Sequence, residues 1–309
     1  MKTYIVKRFI SMIITLWVIV TLTFFLMNAI PGSPFNEERA TSEAVQENLE
    51  SYYHLNEPLI VQYFMYIKSI VTFDFGPSIK QPSQTVNDLL GRGFPVSFEL
   101  GMVTLLVAVF SGIALGIVAA LRRNGIVDYL AMTIAVIGIS IPNFVMATLL
   151  IQKLAVDWAI LPAATWTSPK HMILPTLALA TGPMAIIARL TRASMIEVLT
   201  QDYIRTARAK GLSPYKIVFK HALRNALLPV VTVLGTIAAS VLTGTFVIEQ
   251  IFAIPGMGKY FVDSINTRDY PVIMGTTVFY SAILIFMLFL VDIAYGILDP
   301  RIKLHRKEG

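Results

Sequence analysis

Six long apolar stretches separated by polar segments of unequal length set the pattern of this chain. They cover residues 9–30, 98–121, 129–154, 172–188, 226–248 and 272–298. A helix rising 1.5 Å per residue needs ~20 apolar residues to cross ~30 Å of hydrocarbon, so each stretch predicts a membrane span. Lys2, Lys7 and Arg8 precede the first, which is too long for the apolar core of a cleaved leader and reads as a retained span. In the second, Gly112 and Gly116 form a small-xxx-small pair that lets helices approach closely. Gly138, Pro142 and Asn143 interrupt the third. Proline removes a backbone hydrogen bond, so a kink is predicted there, which either lines a water-filled path or serves packing. The fourth span is the shortest and holds Pro175 and Pro183; its helix is expected to run on through Arg189, Arg192 and Glu197. The fifth carries Gly235, Ala238, Ala239, Ser240 and Gly244 for close packing, with Glu249 at its outer end as a candidate for the path or a gate. Asp292 lies inside the sixth and should face protein or water, because a charge at mid-membrane costs ~2.5–3.5 kcal/mol.

The polar segments carry elements of their own. Residues 31–95 hold eight acids against four bases, enough chain for a separate outer domain. A helix is predicted from Thr41-Ser42-Glu43. A second over 59–71 starts at Pro58, with Leu59, Tyr63, Tyr66, Ile67 and Ile70 on one face. Residues 73–78 read as turn chemistry. Trp158 and Trp166 in the loop over 153–170 suit interface depth. The loop over 202–229 is the most distinctive. It carries Arg205, Arg208, Lys210, Lys216, Lys220 and Arg224 with one acid, Asp202. A short helix is predicted up to Lys210, with Ile204 and Ala207 sharing a face. Gly211 stops it, since glycine enters the left-handed region freely. Ser213 as N-cap and Pro214 at the first position open another helix, which runs into the fifth span.

Composition agrees with a membrane protein. Of 309 residues 55% are hydrophobic and 14% charged, about half the charge content of a soluble domain. Mean hydropathy is +0.68. The net charge of +6 sits beside the spans, so lipid and orientation explain it better than nucleic acid. Seventeen of the 25 Lys and Arg fall at the N-terminus, after spans two and four, and in the tail. By the positive-inside rule these segments, and both termini, are cytoplasmic. With no cysteine, disulfides and thiolate chemistry are excluded. His54, His171, His221 and His305 form no ligand pair, and no phosphate-binding G-x-x-x-x-G-K-[ST] loop, H-E-x-x-H or G-x-S-x-G occurs.

The run Arg205-Thr206-Ala207-Arg208-Ala209-Lys210-Gly211-Leu212 resembles the coupling loop of ABC-importer permeases, in the form used by the oligopeptide/dipeptide branch. Arg205 and Arg224 depart from the generic motif, which has glutamate and proline there, in the manner of that branch. Leu55-Asn56-Glu57-Pro58, Gln62-Tyr63 and Asp74-Phe75-Gly76-Pro77-Ser78 resemble the outer "scoop" of its B-type members. The stretches 249–258 and 268–271 resemble their last outer loop. The resemblance implies an all-α integral membrane protein of the type I ABC-importer permease fold. Its parts would be 1–30 with the first span, an outer domain over 31–95, a core over 96–300 that includes the coupling loop, and a cytoplasmic tail over 301–309. It further implies a bacterial cytoplasmic-membrane importer of peptides and no enzyme. Its partners would be a second, C-type permease, two cytoplasmic ATPases that bind ATP and Mg²⁺, an extracytoplasmic peptide-binding protein and lipid. This chain would hold no cofactor or metal. A nickel or glutathione permease of the same branch would look alike. A secondary carrier would show inverted repeats and paired intramembrane charges, and an intramembrane hydrolase a catalytic pair.

Overall fold

A computed structural model describes residues 2–30, 47–48, 51–243 and 245–298. The helix expected from Thr41, the acids Glu37 and Glu38, Gly244, and the stretch from Asp299 to the tail lie outside the described residues. The described residues are helical except for turns and one isolated antiparallel bridge, Pro77 to Thr85. Five helices are long and apolar enough to cross a membrane, and a bent pair makes a sixth candidate. The chain forms two compact units, Met1–Ser97 with Pro255–Gly309, and Phe98–Ile254.

In the first unit α1 (Lys2–Ala29) runs against α13 (Tyr270–Leu298). Phe9 meets Phe289 edge-on at 6.1 Å. Asp292 finds the protein partner its position demands: Arg8 lies 3.1 Å away, and Tyr4 donates to its backbone carbonyl. Helix α2 (Leu59–Thr72) packs on α1 through Tyr63, whose hydroxyl is 2.7 Å from that of Thr21 and whose ring contacts Phe24 and Phe25. Tyr63 is buried as predicted, but Leu59 is exposed. The turn at 73–78 has Phe73 and Gly76 in the left-handed region, and a Cβ on Gly76 would stand 2.6 Å from the Tyr52 ring and from the Tyr53 hydroxyl. The Asp269 carboxylate accepts from the Ser78 hydroxyl and from the backbone N–H groups of Ile79 and Lys80, closing this turn onto the start of α13.

Helix α3 (Val86–Leu121) begins twelve residues before the predicted span. Thr85 and Asp88 form a reciprocal capping box, each side chain accepting the other's backbone N–H at 3.1 Å. Pro95 lies inside this helix. Its ~3 kcal/mol cost in a helix interior is offset by burial of Val86, Leu89, Leu90 and Leu100.

The second unit holds the rest of α3 with α4 (Ile126–Ser140), α5 (Asn143–Leu150) and α6 (Ile173–Leu199). Gly112 and Gly116 meet α6 closely: a Cβ on Gly116 would stand 2.5 Å from Thr191 Cβ and 2.7 Å from the Ala188 carbonyl. The expected kink in the third span is instead a break of 109° between Ile126–Ser140 and Asn143–Asp157. Proline disfavours helical geometry in the residue before it, and Ile141 is extended. Pro142 is extended too, so two consecutive residues leave the helix and the axis turns through more than a right angle. Helix α6 is longer than the predicted fourth span and reaches Leu199 through Arg189, Arg192 and Glu197. Pro175 falls in its first turn, where a missing N–H costs nothing, and Pro183 is carried inside.

Candidate functional site

The basic loop folds into an elbow whose inner face belongs to the chain's own core. Helix α7 (Asp202–Ala209) puts Ile204 and Ala207 into a cluster with Ile117 and Ala120 of α3 and Met195 of α6. Gly211 follows at φ +75°. Its N–H donates to the Arg208 carbonyl at 2.9 Å, and the Leu212 N–H donates to the Ala207 carbonyl at 3.2 Å. This pair of bonds closes a helix end around a left-handed residue, and Leu212 packs on the same cluster. Ser213 caps α8 (Pro214–Lys216) by accepting the Lys216 N–H. The chain then winds more widely over Ile217–Ala222 and resumes as α9 (Leu223–Ala226). One turn residue, Leu227, joins it to α10 (Leu228–Thr243), and bonds from the Leu227 N–H to the Leu223 carbonyl and from the Val231 N–H to the Leu227 carbonyl carry the winding into the fifth span. Pro229 has no N–H for the Asn225 carbonyl, which weakens the helix at this junction.

The outer face of the elbow is polar and aromatic. Arg205, Thr206, Arg208, Ala209, Lys210 and Gly211 are exposed, Ala207 is buried and Leu212 half-buried. Tyr215 and Phe219 are exposed beside these cations, with ring centroids 4.6 Å apart. Among the described residues, none beyond its two chain neighbours lies within 4 Å of a Cβ on Gly211, so its side of the elbow is open. Asn225 donates to the Tyr203 hydroxyl at 2.8 Å and ties the two arms together. This surface can grip an acidic, grooved partner; it has no group suited to bond-breaking chemistry.

Pro142 and Asn143 line a cavity of about 570 Å³ in the second unit, with Gly182 and Pro183 of α6 and Thr236 and Ser240 of α10. Glu249 lies outside this lining. It sits fully buried in α11 (Phe246–Ile251), accepting from the Thr245 hydroxyl at 2.5 Å.

One pairing has no signature in the sequence. Arg192 grips Asp128 with two hydrogen bonds of 2.5 and 2.7 Å, and the Asn124 N–H adds a third to the same carboxylate. Asp128 is 2% exposed. The two residues stand 64 positions apart, and no helical or strand spacing links them.

Residues 112–304 match the family model of the binding-protein-dependent transport system inner membrane component, and residues 1–100 match the model of its N-terminal part. The chain is 74% identical over 307 residues to the dipeptide transport system permease protein DppB of Bacillus subtilis, covering 99% of the chain and 100% of that protein. It is 45% identical over 305 residues to the oligopeptide transport system permease protein OppB of Haemophilus influenzae, covering 98% of the chain and 100% of that protein. Two solved structures of the MetNI methionine ABC transporter in inward facing conformations share the fold. Their TM-scores are 0.54 and 0.56 at 20% identity, over 68% of this chain and 96% of theirs.

Proposed function

The chain belongs to the inner-membrane components of binding-protein-dependent transport systems, and from that premise we propose that it carries peptides as one permease subunit of an ATP-driven importer. It is an integral membrane transport subunit, and ATP hydrolysis falls to separate subunits. The observation that carries the peptide reading is its full-length likeness to dipeptide and oligopeptide permeases, which favours peptides over nickel or glutathione. A second, related permease completes the path. Two cytoplasmic ATPases bind ATP and Mg²⁺, and an extracytoplasmic binding protein delivers the peptide. The charge bias supports cytoplasmic termini.

The elbow over 202–229 is the handle that the ATPase grips. Its inner face is fastened to α3 and α6, so a push on the exposed face moves these spans rather than bending the loop. Closure of the ATPases on ATP then shifts the path between outward- and inward-facing states through their differential grip on the elbow. The cavity at Pro142 and Asn143 suits the path: backbone leaves helical geometry at membrane depth where it borders water or protein.

Gly211 tests the handle. Valine there must enter the left-handed region, a strain of roughly 1–3 kcal/mol, whereas asparagine tolerates it. Because the space around Gly211 is open, strain rather than a clash within the chain separates the two. In the reconstituted complex Gly211→Val should lose peptide uptake and peptide-stimulated ATP hydrolysis while the protein remains in the membrane fraction by immunoblot. Gly211→Asn should keep most of both. Normal uptake by the valine variant would end the coupling role of the elbow.

A further inference from the structure

The first unit holds a second, partly open cavity, of about 420 Å³, which the transport reading does not use. Its apolar wall includes Phe24 and Met27 from the last turns of α1, Met65 from α2 and Met274 from the first turns of α13. Because α1 and α13 are spanning helices, their ends place this cavity level with the polar edge of a bilayer. Ligand cavities typically hold ~300–1,000 Å³ and combine an apolar wall with a few placed polar groups. Here the placed groups are the hydroxyls of Tyr66 and Tyr270. Both hydroxyls are buried, both residues line the cavity, and neither hydroxyl has a hydrogen-bond partner among the described residues. Buried polar atoms without partners are uncommon in native proteins, and two that line one cavity mark it as a place for a hydrogen-bond acceptor from outside the chain.

We propose that this cavity binds a fatty acyl chain whose carbonyl or carboxyl oxygens accept hydrogen bonds from Tyr66 and Tyr270. Unbranched, polarizable methionines adapt to an alkyl chain better than branched side chains do. Burial raises the Tyr66 hydroxyl above the ordinary phenol range, so it stays protonated and remains a donor. The ligand must therefore bring the acceptor, which an acyl carbonyl supplies and a bare hydrocarbon does not. Lys68 is exposed and also lines the cavity, a cation within reach of an anionic head. Asp74 lines it too, but its carboxylate is engaged by the Gly76 N–H at 3.2 Å and the Tyr52 hydroxyl at 3.5 Å.

The test uses the complete importer purified in detergent and a photoactivatable diazirine analogue of palmitic acid. Label should concentrate on peptides spanning residues 62–72 and 270–274. Met65→Trp, which fills the cavity, should reduce it about tenfold. Tyr66→Phe with Tyr270→Phe removes only two oxygens and should weaken binding by about tenfold, the worth of two ordinary hydrogen bonds. Competition distinguishes the source: displacement by free palmitate points to a fatty acid, and displacement by phosphatidylglycerol in mixed micelles points to a bilayer lipid. Label spread along α1 and indifferent to all three substitutions would overturn the proposal. Displacement by a dipeptide, with palmitate inert, would overturn it as well and make the cavity a peptide vestibule. Peptide uptake is not the readout, so failure here leaves the importer assignment standing.

Discussion

Replacing Asp128 by alanine strikes a contact whose cost can be worked from the structure. The carboxylate is 2% exposed and accepts three hydrogen bonds, two from Arg192 and one from the Asn124 N–H. Without it, a guanidinium and a backbone donor are left unpaired. Breaking a buried ion pair from one side costs about 3–5 kcal/mol in general. The Arg192 side chain keeps 27% of its surface, so water recovers part of that loss, and about 2–3 kcal/mol is expected here. Removing both charges, Asp128→Ala with Arg192→Met, leaves no stranded cation and should cost less than Asp128→Ala alone. The assay is unfolding of the detergent-solubilised chain by sodium dodecyl sulfate, followed by fluorescence of its three tryptophans. Losses that simply add across the two single variants would refute the argument, because they would mean that the charges do not act on each other. Met195 follows Arg192 by about one helical turn and lies in the core beneath the elbow. The double variant should therefore fold yet transport poorly, with ATP hydrolysis less dependent on peptide.

Gly116→Leu should prevent close contact of α3 with α6, because even a Cβ would stand 2.5 Å from Thr191 Cβ; loss of folded protein on size-exclusion chromatography checks it, and a normal profile would refute it. Asp269→Ala orphans the Ser78 hydroxyl and two backbone donors, so about 2–4 kcal/mol of local stability should go, read as faster proteolysis between residues 73 and 85. Cysteines placed at exposed Ser83 and Arg123 should differ in intact cells, the first labelling with an impermeant maleimide and the second only after lysis; labelling of both from outside would invert the proposed topology.

Local chemistry makes the elbow legible in the sequence itself. Gly211 at a positive φ, Ser213 as a cap and the shared burial of Ile204 and Ala207 all depend on residues within a few positions of one another. The start of α3 is legible in the same way, since Thr85 and Asp88 have capping-box spacing, but Pro95 suggests a boundary that packing overrides. Pro142 announces a disturbance without its size: how far an axis turns depends on the backbone angles of Ile141 and Pro142 together. The pairs Asp128–Arg192 and Ser78–Asp269 join residues 64 and 191 positions apart. Nothing in a single sequence selects one distant partner over another. Glu249 differs: its partner Thr245 is only four positions away, but its full burial follows from how α11 seats and not from its place at the end of an apolar run.

The sharp break at Ile141–Pro142 bears on how the chain reaches its membrane. Helix α4 has 15 residues, about 22 Å of helix, and its continuation over Asn143–Asp157 is equally short. Neither half covers ~30 Å of hydrocarbon by itself. Turned by 109°, they do not add into one straight rod either. During synthesis this segment leaves the ribosome before the helix on which it rests, whose Thr181 carbonyl would stand 2.9 Å from a Cβ on Gly138. A nascent chain truncated before Ile173 is already held by its first two spans, so single cysteines introduced over 126–157 should remain open to an aqueous maleimide in it and become protected in one extended past Leu199. Integration of the third span is thus a cooperative, post-emergence event, and the order in which helices leave the translocation channel becomes part of the folding pathway.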